Sequence, residues 1–142
     1  NGSVCTGNVI YSTNTKYNGN LGGMSGADAK CESDANKTAR AENTKAFIAD
    51  STRDILSLKD NPYNSTSPIY WYKVSDNTLI KMANNWTDML DGSILANEYT
   101  ASGRSTYVRT GSWPSGTVYG SYHCSNWSST VSSNNCRAGW TS

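Results

Sequence analysis

The sequence is short of charge. Only 16% of its residues are Asp, Glu, Lys or Arg, the formal net charge is +1, and the basic residues are scattered with no Lys/Arg run. Long-range attraction to a phosphate backbone or an anionic lipid surface is therefore weak, so nucleic acid is not expected as a partner. No apolar stretch approaches the roughly 20 residues that span a bilayer, and membrane insertion is not expected either. No charged-then-apolar leader opens the chain, so an exported form would be one whose signal has been removed. Catalytic signatures are equally scarce. His123 is the single histidine and the only conventional base, and no G-x-S-x-G elbow accompanies it. Asp88 with Asp91 and Asp50 with Asp54 lie near turns and helix starts, where capping explains them more simply than a pair of glycosidase carboxylates. "TDMLDGS" offers two carboxylates without the alternation of a calcium loop, and none of the four cysteines sits in a C-x-x-C pair. No metal, no other cofactor and no enzymatic activity is expected.

What the chain does contain is uncharged polar surface and large rings. Hydrophobic residues make up 36%, with five Trp and nine Tyr against one Phe, and the polar remainder is mostly Ser, Thr, Asn and Gly. Amphipathic rings of this kind supply much of the buried area in exported proteins. Cys5, Cys31, Cys124 and Cys136 make an even set without zinc-finger spacing, which predicts two disulfides and an oxidising, extracellular or cell-surface location. Asn36, Asn64, Asn85 and Asn126 each open an N-x-S/T triplet and are candidate glycosylation sites. A length of 142 residues fits one domain, and no repeat or linker divides it.

Along the chain, "NVIYST" (Asn8 to Thr13) predicts a first strand, and "NTKYNGNLGG" is turn chemistry. Ser25 as N-cap and an Ala27, Cys31, Ala35 stripe predict a helix from about Ser25 to Arg40. "KAFIAD" (Lys45 to Asp50) predicts a second strand, and Ser51 a cap for a short helix through Leu56 or Leu58. "IYWYKV" (Ile69 to Val74) is strongly β-prone. "NNWTDMLDGSI" places Trp86, Met89 and Leu90 on one side of a helical turn, and the remainder predicts short strands and corners.

"GNLGGMSGADAKC", Gly19 to Cys31, has the glycine density of a phosphate loop. A P-loop needs a Lys-Ser/Thr after its last glycine, whereas here Asp28 sits where phosphate charge would lie. The glycines are better explained as positions of positive φ or close backbone approach at the start of a helix. Of the five Trp, three or more are expected in the core. Trp113 and Tyr119, in a Gly/Ser-rich segment, are the expected exposed pair, and with Arg109 they form the candidate ligand-binding set.

"GNLGGMSGADAKC" followed by "KAFIAD" resembles the start of endostatin-like domains, where a G-x-x-G-A-D-x-x-C segment opens the first helix. "NNWTDMLDGS", "SGRSTYVRTGSWPSGTVYGS" and "HCSNW" are similar to the later blocks, in the same order, so the resemblance covers about Tyr11 to Trp127. It extends to a family of exported bacterial domains carrying the G-N-L-G-G-x-x-G-A-D-A-x-C and C-x-N-W blocks. The resemblance implies an α+β, C-type-lectin-like fold: one or two helices packed on a small twisted antiparallel sheet, with long irregular loops. Calcium-site triplets such as E-P-N are missing, as are the arginine clusters that heparin binding would need. In the family the helix cysteine pairs with one in the final strand, but this chain ends at "CRAGWTS". The expectation is either a domain at 1–142 lacking its final strand or rewired disulfides. Three connectivities are open, of which Cys5–Cys31 with Cys124–Cys136 is favoured.

The expected function is that of an exported recognition module at a cell surface or in extracellular matrix, binding a glycan or protein ligand through its polar and aromatic loop face. The alternative is a structural subunit of an extracellular filament, pilus or coat, whose partners are copies of itself. An exported hydrolase built on His123 is a weaker third.

Overall fold

A computed structural model describes residues 7–39, 41–59, 63–93, 95–96, 107–131, 133 and 138–140. The β-branched and aromatic run "IYWYK" forms the central strand β2 (Ile69–Lys73) of a three-stranded sheet ordered β1-β2-β3, with β1 at Asn8–Ile10 and β3 at Thr78–Ala83. β3 pairs antiparallel with β2 through the short 74–77 turn, but β1 runs parallel to β2, opposite Ile69, Tyr70 and Trp71. The sheet is therefore mixed, not antiparallel as expected. The long connection between β1 and β2, which carries helix α1 (Gly23–Glu32), supplies the crossover that a parallel pair requires. A second, two-stranded antiparallel sheet joins β4 (Tyr107–Arg109) to β5 (Ala138–Trp140). The molecule is thus a small α+β fold.

Helix α1 starts two residues earlier and ends eight earlier than its apolar stripe predicted. Its N-cap is Gly22 at φ 82°, with no side-chain cap, so Ser25 does not serve that role. Gly26 is demanded by close approach, since a Cβ there would lie 2.2 Å from the Leu21 carbonyl oxygen. The helix stops at Glu32 because Asp34 captures the chain that follows. Its buried carboxylate accepts the N–H groups of Asn14 (2.8 Å), Thr15 (3.5 Å) and Asn36 (2.8 Å), tying the helix exit to the segment after β1. Ala35 is left exposed beyond the helix.

Two core clusters flank the segment predicted as a second strand. One holds Ala49, Ile55, Leu58, Ile69, Ala83 and Trp86; the other holds Ala27, Ala46, Ile48, Cys124 and Trp127. "KAFIAD" runs between them, sending Ala46 and Ile48 to one side and Phe47 and Ala49 to the other. That is the period-two alternation of a strand, yet the segment joins neither sheet. Its backbone is tied instead by the Ala49 N–H to the Thr110 carbonyl, 2.7 Å, and by the Asp50 N–H to the Arg53 carbonyl, 2.9 Å. The short helix predicted after Ser51 is a 3-10 turn at Leu56–Lys59, capped by the Asp54 carboxylate on the Ser57 N–H at 2.8 Å. The turn α2 (Trp86–Met89) forms as predicted, with Asn85 as its N-cap and with Met89 and Leu90 packed on the core around Trp86.

"CSNW" forms a single helical turn, α3 (Cys124–Trp127), of the left hand: φ is 51° at Cys124, 54° at Ser125, 53° at Asn126 and 58° at Trp127. Left-handed helix costs about 1–2 kcal/mol for each residue carrying a Cβ, so the surroundings must hold it. They do so from several directions. The Trp127 indole N–H donates to the Ala49 carbonyl (3.0 Å), its own carbonyl accepts from Leu21 (2.7 Å), and Asn126 exchanges hydrogen bonds with Ser51. Cys124 is also disulfide-bonded, to a partner outside the described residues. Ser125 is exposed, so Ser125→Gly is expected to stabilise the fold by about 1 kcal/mol. A urea midpoint that fell instead of rising would show that the turn is not strained there.

Cys31 carries a free thiol, packed beside the Ala27, Ala46 and Trp127 cluster, and the expected Cys5–Cys31 bond is not formed. Cys5 and Cys136 lie outside the described residues, and so does the expected Cys124–Cys136 pairing. Burial, with the nearby Asp28 and Asp34 carboxylates, pushes the Cys31 thiol up to about 11. At pH 8 this leaves about 100-fold less thiolate than an ordinary cysteine has. Iodoacetamide is therefore expected to label Cys31 slowly in the native protein and rapidly in urea. Peptide mass mapping that found it labelled at the unfolded rate in the native state would contradict this placement.

Candidate functional site

Segment 110–123 folds into a tight hairpin and a following turn. Tyr119 N–H donates to the Gly111 carbonyl (2.8 Å), Trp113 N–H to the Thr117 carbonyl (2.8 Å), and Gly116 N–H closes the tip on the Trp113 carbonyl (2.9 Å). The body of the protein grips this hairpin at both ends. Ala49 N–H binds the Thr110 carbonyl (2.7 Å), while Ile55 and Leu56 share the Gly116 carbonyl (2.8 and 3.1 Å). Gly111, at φ 64°, allows the approach: a Cβ there would lie 2.6 Å from the Ala49 carbonyl oxygen. Alternation along the returning arm turns Val118 into the core and Tyr119 away from it.

The outward rings gather. Trp113 and Tyr119 have centroids 4.0 Å apart at 49°, and Tyr119 meets Tyr122 edge-on at 5.3 Å and 66°. Trp113 is 49% exposed and Tyr122 43% exposed, with Tyr119 half-buried between them. The structure thus brings together the two rings singled out from sequence, although only Trp113 of the two is exposed as expected, Tyr119 being partly covered by its neighbours, and it adds Tyr122, which sequence reading missed. Its signal was the G-S-Y turn after Tyr119, which folds back through the Tyr122 N–H to the Tyr119 carbonyl at 3.1 Å. Arg109 is exposed at the end of β4 and takes no part in the ring contacts. Of the remaining tryptophans, Trp71, Trp86 and Trp127 are buried, as expected for the core, and Trp140 lies in β5.

Other chemistry is committed to structure. His123 caps α3 by accepting the Asn126 N–H at Nδ1 (2.9 Å). A relay histidine donates from that nitrogen, so this tautomer is the reverse of the one a Ser-His-Asp triad uses. Asp88 accepts the Asn84 N–H (2.7 Å), Asp91 the Ser93 N–H (2.8 Å) and Asp50 the Thr52 N–H (2.7 Å), the turn roles that sequence reading assigned. Among the described residues no cluster of three or more His, Cys, Asp or Glu is placed to hold a metal ion. No helix among them is long and apolar enough to cross a membrane.

A cavity of about 660 Å³ beside α1 is lined by Asp28, Glu32, Lys45 and Arg53. Its charges are already paired: Arg53 binds both Asp28 oxygens (2.7 and 2.8 Å), Lys45 lies 3.3 Å from the same carboxylate, and Glu32 is bound by Lys37. A second cavity, of about 260 Å³, is walled by Ile10, Cys31, Phe47, Tyr63 and Trp86. Of the four sequon asparagines among the described residues Asn64 is exposed, whereas Asn85 caps α2, Asn126 is bonded to Ser51, and Asn36 donates to the Ser12 carbonyl (3.1 Å).

Residues 14–142 match a family described as a protein of unknown function, DUF1554. The chain belongs to the DUF1554 family. No curated protein matches it. The matched span includes α1, both arms of the aromatic hairpin and the left-handed turn, and leaves out β1. The site described above therefore lies wholly within the family's domain.

Proposed function

We propose that this chain is an exported, non-enzymatic recognition module of C-type-lectin-like, endostatin-like architecture, working at a cell surface or in extracellular matrix. It binds a glycan or protein ligand through the polar and aromatic face at 110–123. The observation that carries the proposal is the cluster of exposed Trp113 and Tyr122 around half-buried Tyr119, on a hairpin gripped by the core at Thr110 and Gly116. Three rings held partly in water by a preorganised backbone favour binding, because little ordering cost remains to be met when a ligand arrives. The order of the endostatin-like sequence blocks supports the architecture, and the disulfide at Cys124 and the uncharged polar composition support export.

An array of glycans and matrix proteins probed with wild type and Trp113→Ala tests this directly. At least one ligand is expected to bind and to lose about tenfold or more in affinity on substitution. Stability should stay within about 0.5 kcal/mol, since the indole is half in solvent and away from the core. No binding at all, or binding indifferent to Trp113, would overturn the proposal. Light scattering on the same samples addresses the filament alternative: a concentration-dependent assembly abolished by Trp113→Ala would favour self-association through these rings.

A further inference from the structure

We infer that the ligand class of this face is an uncharged pyranose, stacked on the Trp113 indole and bonded at its edge by hydroxyls; the inference rests on the recognition reading above. Charge decides first. From Thr110 to His123 no residue is Asp, Glu, Lys or Arg. The acids brought nearest by backbone pairing are Asp50 and Asp54, and both are spent on local N–H groups at Thr52, Arg53 and Ser57. A sulfated glycan, a nucleic acid or an acidic peptide would be met by clustered cations, and none lies in this segment.

Shape decides second. A centroid separation of 4.0 Å at a 49° tilt makes Trp113 and Tyr119 two walls of a shallow corner. One face of a pyranose is a patch of C–H bonds, which suits an indole plane, and its rim is hydroxyls. Hydroxyls are at hand on the same hairpin, because Ser115 and Thr117 pair at 3.0 Å near its tip and Tyr122 is 43% exposed. Extent decides third. Among the described residues the other large exposed apolar side chains, Tyr17, Val74, Leu95 and Val131, belong to other segments. Within 110–123 the apolar face is one corner of three rings, a size that suits one or two sugar units.

The test uses the full chain with neutral trisaccharides of glucose, galactose, mannose and N-acetylglucosamine, and a heparin-derived oligosaccharide as the charged probe. Binding is followed by calorimetry and by the indole N–H resonance of Trp113. At least one neutral trisaccharide is expected to bind with Kd on the order of 1 mM or tighter, with no dependence on salt. Trp113→Ala should abolish that binding, Trp113→Phe should retain it within about tenfold, and Tyr122→Phe should weaken it. Salt-sensitive binding of the heparin probe alone would overturn the inference. So would Trp113-dependent binding to a matrix protein with no response to any neutral sugar, a result that leaves the recognition reading standing. If nothing binds in a Trp113-dependent way, both fall together.

Discussion

Trp127→Ala is expected to destabilise the protein by about 4 kcal/mol, a large part of the roughly 5–15 kcal/mol that holds a domain of this kind folded. Three effects add at this position. The indole is only 2% exposed and packs on Ala27, Ala46, Ile48 and Cys124, so truncation opens a cavity between α1 and the left-handed turn. The Ala49 carbonyl loses the buried indole N–H that lies 3.0 Å away. The residue also keeps its positive φ of 58°, so the strain of α3 remains while the packing that held it is gone. Trp127→Phe separates the terms: it retains most of the packing and should cost about 1–2 kcal/mol, for the lost hydrogen bond. Chemical denaturation of the two variants checks this. Equal losses would mean that the ring's volume contributes little, contrary to the packing.

The second large effect is expected at Asp28. Its carboxylate joins α1 to the 45–53 segment through Arg53 (2.7 and 2.8 Å), the Ala46 N–H (2.8 Å) and Lys45 (3.3 Å). Asp28→Ala removes all of these acceptors and leaves the guanidinium of Arg53, whose side chain is 18% exposed, without its partner. A loss of about 3 kcal/mol follows, whereas Lys45→Ala, at a side chain 38% exposed, should cost under about 1 kcal/mol. If the two variants lost equal stability, the bidentate Arg53 pair would not be the principal contact.

The same carboxylate gives a pH dependence of known sign. Burial alone would raise its pKa, but hydrogen bonds from Arg53 and Ala46 and the charge of Arg53 outweigh burial and hold it below the ordinary aspartate value. The folded state therefore binds that proton less readily than the unfolded chain does. The stabilisation is complete above the ordinary carboxylate value and is lost as pH falls through it toward the lowered folded value. Acid titration of stability in the wild type should show this slope below about pH 4, and in Asp28→Asn it should be shallower.

How much was legible in the sequence varies with the range over which each feature is decided. β2 and α2 were readable because β-branching, aromatic content and the spacing of Trp86 and Met89 act within a few residues. The Trp113 and Tyr119 pair was readable for a similar reason: Pro114, Gly116 and hydroxyl residues mark a reversal that brings two nearby rings to one side. The end of α1 was not, because Asp34 stops the helix by binding Asn14 and Thr15, about twenty positions earlier in the chain. "KAFIAD" showed the right alternation for the wrong partner, its two faces being covered by two core clusters and not by neighbouring strands.

By itself, then, the sequence determined the α+β character, the burial of most tryptophans, the helix-forming role of the "GNLGGMSGADAKC" block and the exposure of Trp113. Each of these follows from local propensity or from the cost of leaving apolar area in water. Only the tertiary structure decided that β1 lies parallel to β2, that Cys31 stays a thiol, that Asp28 closes on Arg53, and that "CSNW" winds to the left. Those outcomes depend on contacts between residues far apart in the chain. A left-handed turn in particular runs against every local preference, and it persists because Trp127, Asn126 and Cys124 are each held from outside it.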